Sequence, residues 1–230
     1  MTLVVPAPSP VLVPVAGGGH WPVRRVYCVG RNYEEHAKEM GFTGREPPFF
    51  FMKPADAVVH VPEGATGEIP YPPGTSNFHY ELELVAAIGV GGADIKAADA
   101  MRHVWGYAVG LDMTRRDLQG EMKKQGRPWE IGKAFDHSAP IGPIVPAAQA
   151  AGATDATIEL KVDGVVKQTS RTSKLIWNIA ETIEHLSAAW RLEPGDLIYT
   201  GTPEGVGAVK PGQLMEGRVD GVGTLKVRVR

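Results

Sequence analysis

A chain of 230 residues, 43% of them hydrophobic, is long enough to bury a core as one domain with a small arm. Its 24 Lys and Arg against 26 Asp and Glu leave a net charge of −2, with no basic excess to hold nucleic acid and no acidic tail. The one cysteine, Cys28, excludes an intramolecular disulfide framework and fits a reducing compartment; it reads as a small buried hydrophobe on a strand.

The opening stretch MTLVVPAPSPVLVPVAGGG is apolar, carries four prolines and has no lysine or arginine, so it lacks the charged start and unbroken apolar helix of a secretory signal. Residues 1–22 read as an extended arm and 23–230 as a single domain. No run is long enough to span a bilayer, so no membrane partner is expected and the cytoplasm is the expected location. A strand is predicted over 23–29 (VRRVYCV). Asn32 is placed to cap a short helix over 33–40, with Glu35 as capping-box partner and Gly41 as its stop.

A second strand is expected over 80–90, running into GVGG, which lacks the spacing and acidic partner of a dinucleotide fingerprint and reads as a turn. Residues 104–111, small and apolar, predict a buried strand. Thr114 is placed to cap a helix reaching Gln125, with Asp117 in its first turn and Gly126 after its end. Asp163-Gly164 between 158–161 and 165–168 predicts a hairpin.

Ser173 is placed to cap a helix over 174–190, in which Ile176, Ile179, Ile183 and Leu186 recur on one face. EPGD turns into a strand over 197–200, GTPEGVGA is a loop, and a strand over 224–230 closes the chain. The 28 glycines and 19 prolines are spread throughout, as in a fold of many short elements. The expected class is α+β, β-rich, with short helices.

Within FHYELELVA, Glu81 and Glu83 fall on one face of a strand while Tyr80, Leu82 and Leu84 share the other. Such a pair serves equally as an acidic solvent face or as ligands of a hard divalent cation, which turns like-charge repulsion into binding. Asp112 ends the apolar run VWGYAVGLD, where it suits either a helix cap or a third ligand. Three carboxylates around a divalent ion leave a net −1, and Arg115, Arg116 and Lys133 follow close behind to admit an anion. In RNYEEHAKEM, His36 and Glu39 are neighbours on one helix face, either as a surface pair or as a base with its orienting carboxylate. No G-x-S-x-G, Walker loop, H-E-x-x-H or cysteine pair is present.

Six blocks in order, VGRNYEEHAKEMG, PPFFFMKPADAV, HYELELVAAIG, GYAVGLDMTRRDLQ, GRPWEIGKAFD and LIYTGTPEGVG, resemble the fumarylacetoacetate hydrolase superfamily over residues 24–230. Within it the chain is most similar to the fumarylpyruvate hydrolases of the gentisate pathway and their acylpyruvase relatives. The resemblance implies the mixed β-sandwich roll of that superfamily's C-terminal domain, a homodimer, and a Mg²⁺ or Mn²⁺ site on Glu81, Glu83 and Asp112. It implies His36, Glu39 and Lys133 as catalytic residues, and Arg31, Tyr33, Arg116, Gln119 and Thr202 as substrate contacts.

The implied reaction is hydrolysis of a C–C bond in an acylpyruvate, with fumarylpyruvate giving fumarate and pyruvate. Oxaloacetate decarboxylation, a broader acylpyruvase and 2-hydroxydienoate isomerisation are alternatives on the same chemistry. A non-catalytic binding protein would tolerate loss of His36, Glu39 or Lys133, and all three are present.

Overall fold

The computed structural model describes residues 3–35 and 45–230. Strands dominate and the helices are short, as the spread of glycine and proline requires. An eight-stranded mixed sheet runs in the order Phe49–Lys53, Val26–Gly30, Leu197–Tyr199, Leu82–Ile88, Val104–Leu111, Ala139–Ile141 and Val58–His60, with Val145–Pro146 also paired to Val104–Leu111. A five-stranded sheet follows the order Val165–Arg171, Thr157–Val162, Leu214–Val219, Gly223–Val229 and Thr66–Ile69.

The alternation of side chains along Leu82–Ile88 explains the layering. Leu82, Leu84, Ala86 and Ile88 join one apolar cluster with Ile158, Leu160, Met215 and Val227 of the smaller sheet. Val85 and Ala87 point to the other face, into a cluster with Cys28, Leu197, Tyr199, Val13 and Trp21. Both faces are therefore covered, and every residue of Leu82–Ile88 is buried, Glu83 included. Val13 and Trp21 come from a hairpin, Leu12–Pro14 paired with His20–Pro22, so this part of the arm lies on the body of the chain. Among the described residues no helix is long and apolar enough to cross a membrane.

The strand over Val104–Leu111 and the Asp163-Gly164 hairpin form as expected; the turn residues take φ 48° and 78°, the left-handed pair that a two-residue hairpin turn needs. The first predicted strand lies at Val26–Gly30, and Cys28 is buried on it. The predicted strand over 80–90 is interrupted at Glu81, between Phe78–Tyr80 and Leu82–Ile88.

Three caps differ from expectation. Among the described residues the Asn32 side chain bonds across loops: its Nδ2 donates to the carbonyls of Trp177 (2.9 Å) and Thr200 (2.8 Å), and its Oδ1 accepts from Trp177 N (2.8 Å). Most of the helix predicted over 33–40 lies outside the described residues. Thr114 sits on a two-residue strand, Thr114–Arg115, and the helix that follows spans Arg116–Lys124 with no side-chain cap.

Ser173 lies in a 3₁₀ turn, Thr172–Lys174, while the long helix is Ile179–Ala189, capped by Asn178. There Glu181 N–H donates to Asn178 Oδ1 at 3.0 Å and Asn178 N–H to Glu181 Oε2 at 3.1 Å, a reciprocal box that the Ser173 position cannot form because Ile176 stands where the acid is needed. Ile179, Ile183 and Leu186 are buried as the period predicts, and Ile176 precedes the helix.

Candidate active site

Antiparallel register brings the three predicted carboxylates together. Leu82 pairs with Leu111 and Glu83 with Gly110, so Asp112 falls opposite Glu81, and Asp112 N–H donates to Glu81 O at 2.9 Å. Each of Glu81, Glu83 and Asp112 offers an oxygen within 4.8 Å of the others'. All three are buried, with exposures of 6%, 1% and 1%. Buried charge demands partners, and the fold supplies them unevenly.

Lys133 ends the short helix Glu130–Lys133, whose amides at Gly132 and Lys133 bond back to Trp129 O. Its Nζ lies 2.9 Å from Glu81 Oε2, 2.7 Å from Asp112 Oδ2 and 2.7 Å from Thr114 Oγ1. Burial works against that ammonium, but Asp112 and Glu81 outweigh it and hold its pKa above the ordinary lysine value. Lys53, fully buried, places Nζ 2.8 Å from Asp112 Oδ1 and donates to the carbonyls of Met113 (3.2 Å) and Lys133. Arg116 pairs with Glu81 Oε1, donates to Gln119 Oε1 at 2.6 Å, and meets His79 Nδ1 at 3.4 Å.

His79 is consequently neutral. Burial first, then the Arg116 guanidinium, lowers its pKa to about 4, and its Nε2 bonds Asn77 Oδ1 at 2.8 Å.

Glu83 is the exception. Among the described residues it accepts one hydrogen bond, from Gly201 N–H at 2.8 Å. Burial, then the charges of Asp112 and Glu81, push its carboxyl well above the usual range. Glu81 and Asp112 pair with Lys53, Lys133 and Arg116, whereas among the described residues Glu83 has no ion pair and one amide; together the three carboxylates make an all-oxygen donor set. A hard divalent cation fits that oxygen set in ligand type and would give Glu83 the cationic partner it lacks among the described residues.

Glu81 and Glu83 open onto a cleft lined also by Arg31, Phe51, Arg116, Gln119, Trp129, Lys133 and Thr202, with Asp112 behind them. The structure thus gathers Glu81, Glu83, Asp112, Lys133, Arg31, Arg116, Gln119 and Thr202 in one place. Thr202 holds the floor rather than pointing freely: its hydroxyl donates to Leu82 O and accepts from Gln168 Nε2. Tyr33 is buried, with a phenol pushed upward by burial and by Glu83. Arg115 turns aside, its guanidinium over the Phe135 ring at 4.3 Å. His36 and Glu39 lie outside the described residues.

Sequence reasoning passed over Lys53 and Thr114. The signal for Lys53 was a lone cation closing the apolar run FFFM before a proline. Thr114 looked like a cap because hydroxyl residues start helices so often.

A family model described as fumarylacetoacetate hydrolase, C-terminal, matches residues 25–230. The crystal structure of a fumarylpyruvate hydrolase from Pseudomonas aeruginosa, in complex with Mn²⁺ and pyruvate, superposes with a TM-score of 0.97 at 60% identity, covering 99% of each chain. A fumarylpyruvate hydrolase from a Ralstonia species is 47% identical over 184 residues, 80% of this chain and 93% of that one. A mitochondrial oxaloacetate tautomerase of Rattus norvegicus is 41% identical over 206 residues, covering 90% and 91%.

Proposed function

This chain belongs to the fumarylacetoacetate hydrolase family, and we propose that it hydrolyses the C3–C4 bond of an acylpyruvate, fumarylpyruvate first among them, to a carboxylic acid and pyruvate. The observation that carries this reading is the buried Glu81–Glu83–Asp112 cluster, an all-oxygen donor set whose Glu81 and Glu83 line a cleft that also presents Lys133, Arg116 and Gln119. Glu81, Glu83 and Asp112 would hold Mg²⁺ or Mn²⁺, which would supply Lewis-acid polarisation and a template for the 2-oxo acid end.

The chain's own residues do the rest. Arg116, set by Glu81 and Gln119, offers guanidinium edges to the pyruvoyl carboxylate, with the Gln119 amide beside it. His36, oriented by Glu39, takes a proton from the water that attacks C4. Lys133, held by Thr114, would turn an N–H from Glu81 or Asp112, whose oxygens would go to the metal, toward the oxyanion that forms there. As C3–C4 breaks, its electron pair stays with C3, which takes up a proton to complete pyruvate, while C4 leaves as the acid. Tyr33 and Thr202 shape the wall and floor. We read residues 23–230 as the catalytic unit of a cytoplasmic homodimer acting in gentisate-type aromatic breakdown, on the family match and its blocks of sequence.

The test is direct. Protein freed of metal, then given Mg²⁺ or Mn²⁺, is assayed on fumarylpyruvate, acetylpyruvate and oxaloacetate, with and without chelator. Metal-dependent release of pyruvate from fumarylpyruvate is the expected result, and turnover unaffected by chelator would refute the reading. The rat tautomerase relative favours one second reading, proton transfer at C3 of oxaloacetate, which the same Lys133 and carboxylates would serve. That reading predicts the highest kcat/KM on oxaloacetate.

A further inference from the structure

The strand that carries the two glutamates loses its neighbour just where they stand. Leu197–Tyr199 pairs with it as far as Tyr199 opposite Val85, and Thr200 still reaches Leu84 O with its N–H (3.1 Å) and its hydroxyl (2.8 Å). Pairing resumes only at Gly207, opposite Tyr80. Four residues on one side of this gap, 81–84, face seven on the other, 200–206, so the surplus loops out of the sheet. Leu82, inside the gap, keeps an N–H and a C=O with no strand to meet, and buried backbone groups left without partners are costly.

Two side chains stand in for the missing strand. Gln168 Oε1 accepts from Leu82 N–H at 3.0 Å, and the Thr202 hydroxyl donates to Leu82 O at 2.8 Å. Gln168 Nε2 donates in turn to Thr202 Oγ1 (2.9 Å) and Pro203 O (2.8 Å), so one amide ties both sides of the gap. Gln168 comes from the other sheet, on its edge strand Val165–Arg171, of which it is the one fully buried residue. That strand bulges beside it: Leu160 faces Gln168 and Lys161 faces Val166, leaving Lys167 unmatched. Such a bulge re-aims the side chain next to it. The loop fits against the bulge, since a Cβ on Gly205, at φ 86°, would fall 2.1 Å from Lys167 O. An apolar side chain at 168 would suit the buried face of an edge strand but would leave Leu82 N–H without its acceptor.

Resting on the acylpyruvate reading, we infer that Gln168 is a positioning residue for the reaction. It holds Thr202 in the floor of the cleft and the Glu81–Leu82–Glu83 segment at the spacing an ion needs, acting through those groups rather than touching the ligand. Thr202 lines the cleft, and Gln168 lies behind it. The Thr202 hydroxyl gives its proton to Leu82 O and accepts one from Gln168, so its orientation is set from both sides. Gly201, whose N–H Glu83 accepts at 2.8 Å, belongs to the same loop. Releasing Gln168 therefore loosens the carboxylates and the floor together.

The experiment compares Gln168→Leu with wild type well below both melting temperatures, so that only folded protein is read. Mn²⁺ affinity is taken from the free-ion signal in electron paramagnetic resonance. Calorimetry measures how the Mn²⁺-loaded protein binds oxalate, a dicarboxylate that chelates as a 2-oxo acid does. Both dissociation constants should rise about tenfold, and kcat/KM on fumarylpyruvate should fall about tenfold or more. Thr169→Ala, at an exposed neighbour on the same strand, should leave all three unchanged. For oxalate, Gln168→Leu and Thr202→Val should not add: the double variant should bind it no more weakly than the weaker single variant. If Gln168→Leu does not fold, Gln168→Asn, one carbon too short to reach Leu82 and Thr202 together, takes its place with the same expected losses.

Wild-type constants for Mn²⁺ and oxalate in a folded Gln168 variant, whatever its Tm, overturn the proposal and leave Gln168 a stabilising residue only. Equal losses in Thr169→Ala, or additive losses in the double variant, overturn it as well. Wild-type protein that binds Mn²⁺ but is inert toward acylpyruvates overturns the acylpyruvate reading alone, because the two binding constants decide the role of Gln168 without turnover.

Discussion

Replacing Glu83 by glutamine should make the metal-free protein more stable while abolishing its response to metal. Glu83 has an oxygen within 4.8 Å of oxygens on both Glu81 and Asp112. At an effective dielectric near 20, each like-charge pair at that distance costs about 3.5 kcal/mol. Attraction to Lys133 offsets roughly one of the two, and the stronger hydrogen bond that a carboxylate accepts from Gly201 N–H recovers about 1 kcal/mol more. A net cost of about 2 kcal/mol remains for the ionised side chain. Glutamine removes the charge and keeps an oxygen for Gly201.

For a chain of this length, 2 kcal/mol raises Tm by about 4–8 °C. The advantage has a pH signature. Because folding raises the Glu83 pKa, ionisation destabilises the folded state only above the ordinary glutamate pKa, so Glu83→Gln should gain most toward neutral pH and little below about pH 4. Thermal unfolding in chelator and in Mn²⁺, from acid to neutral pH, reads both effects. Wild type should gain Tm with Mn²⁺ and the variant should not. A metal-free variant less stable than wild type, or one stabilised by Mn²⁺ as wild type is, would refute the electrostatic account.

Lys53→Met strands Asp112 Oδ1 in the interior and should lower the metal-free Tm by about 6–12 °C, the effect of about 3 kcal/mol for a broken buried pair, yet raise Mn²⁺ affinity; calorimetric titration beside thermal melts checks the opposed signs. Lys133→Met should lower kcat on fumarylpyruvate by about 10³-fold while Mn²⁺ still binds, as seen by the quenching of the free-ion signal in electron paramagnetic resonance. Asn178→Ala removes one half of the capping box and should cost about 1 kcal/mol, a fall of about 2–4 °C in Tm, with kcat/KM unchanged.

What could be read from the sequence was either local or carried by residue type. Asp163-Gly164 announces its hairpin because few dipeptides take two left-handed conformations. Glu81 and Glu83 share a face by simple alternation, and the order of six blocks pointed to Asp112 as their companion. The sideways order of the eight-stranded sheet was not legible, since it depends on pairings between residues as distant as Cys28 and Tyr199.

Nor was the use of polar groups across loops legible. Asn32 and Thr114 have the chemistry of caps, and only the tertiary arrangement sends one to Trp177 and Thr200 and the other to Lys133. The late start of the long helix was legible in principle, because N-I-A-E at 178–181 spells a capping box that S-K-L-I at 173–176 does not. Lys53 shows the opposite limit: a buried lysine draws its meaning from Asp112, which lies 59 positions away in the chain.

The central claim is that one divalent ion, held by Glu81, Glu83 and Asp112, is required for cleavage. Titrating Mn²⁺ into chelator-treated protein while following fumarylpyruvate cleavage tests it most directly. Activity should rise from nothing and level off at one ion per chain, and Glu81→Gln should stay inactive throughout. Full activity before any metal is added, or a Glu81→Gln variant that titrates like wild type, would contradict it.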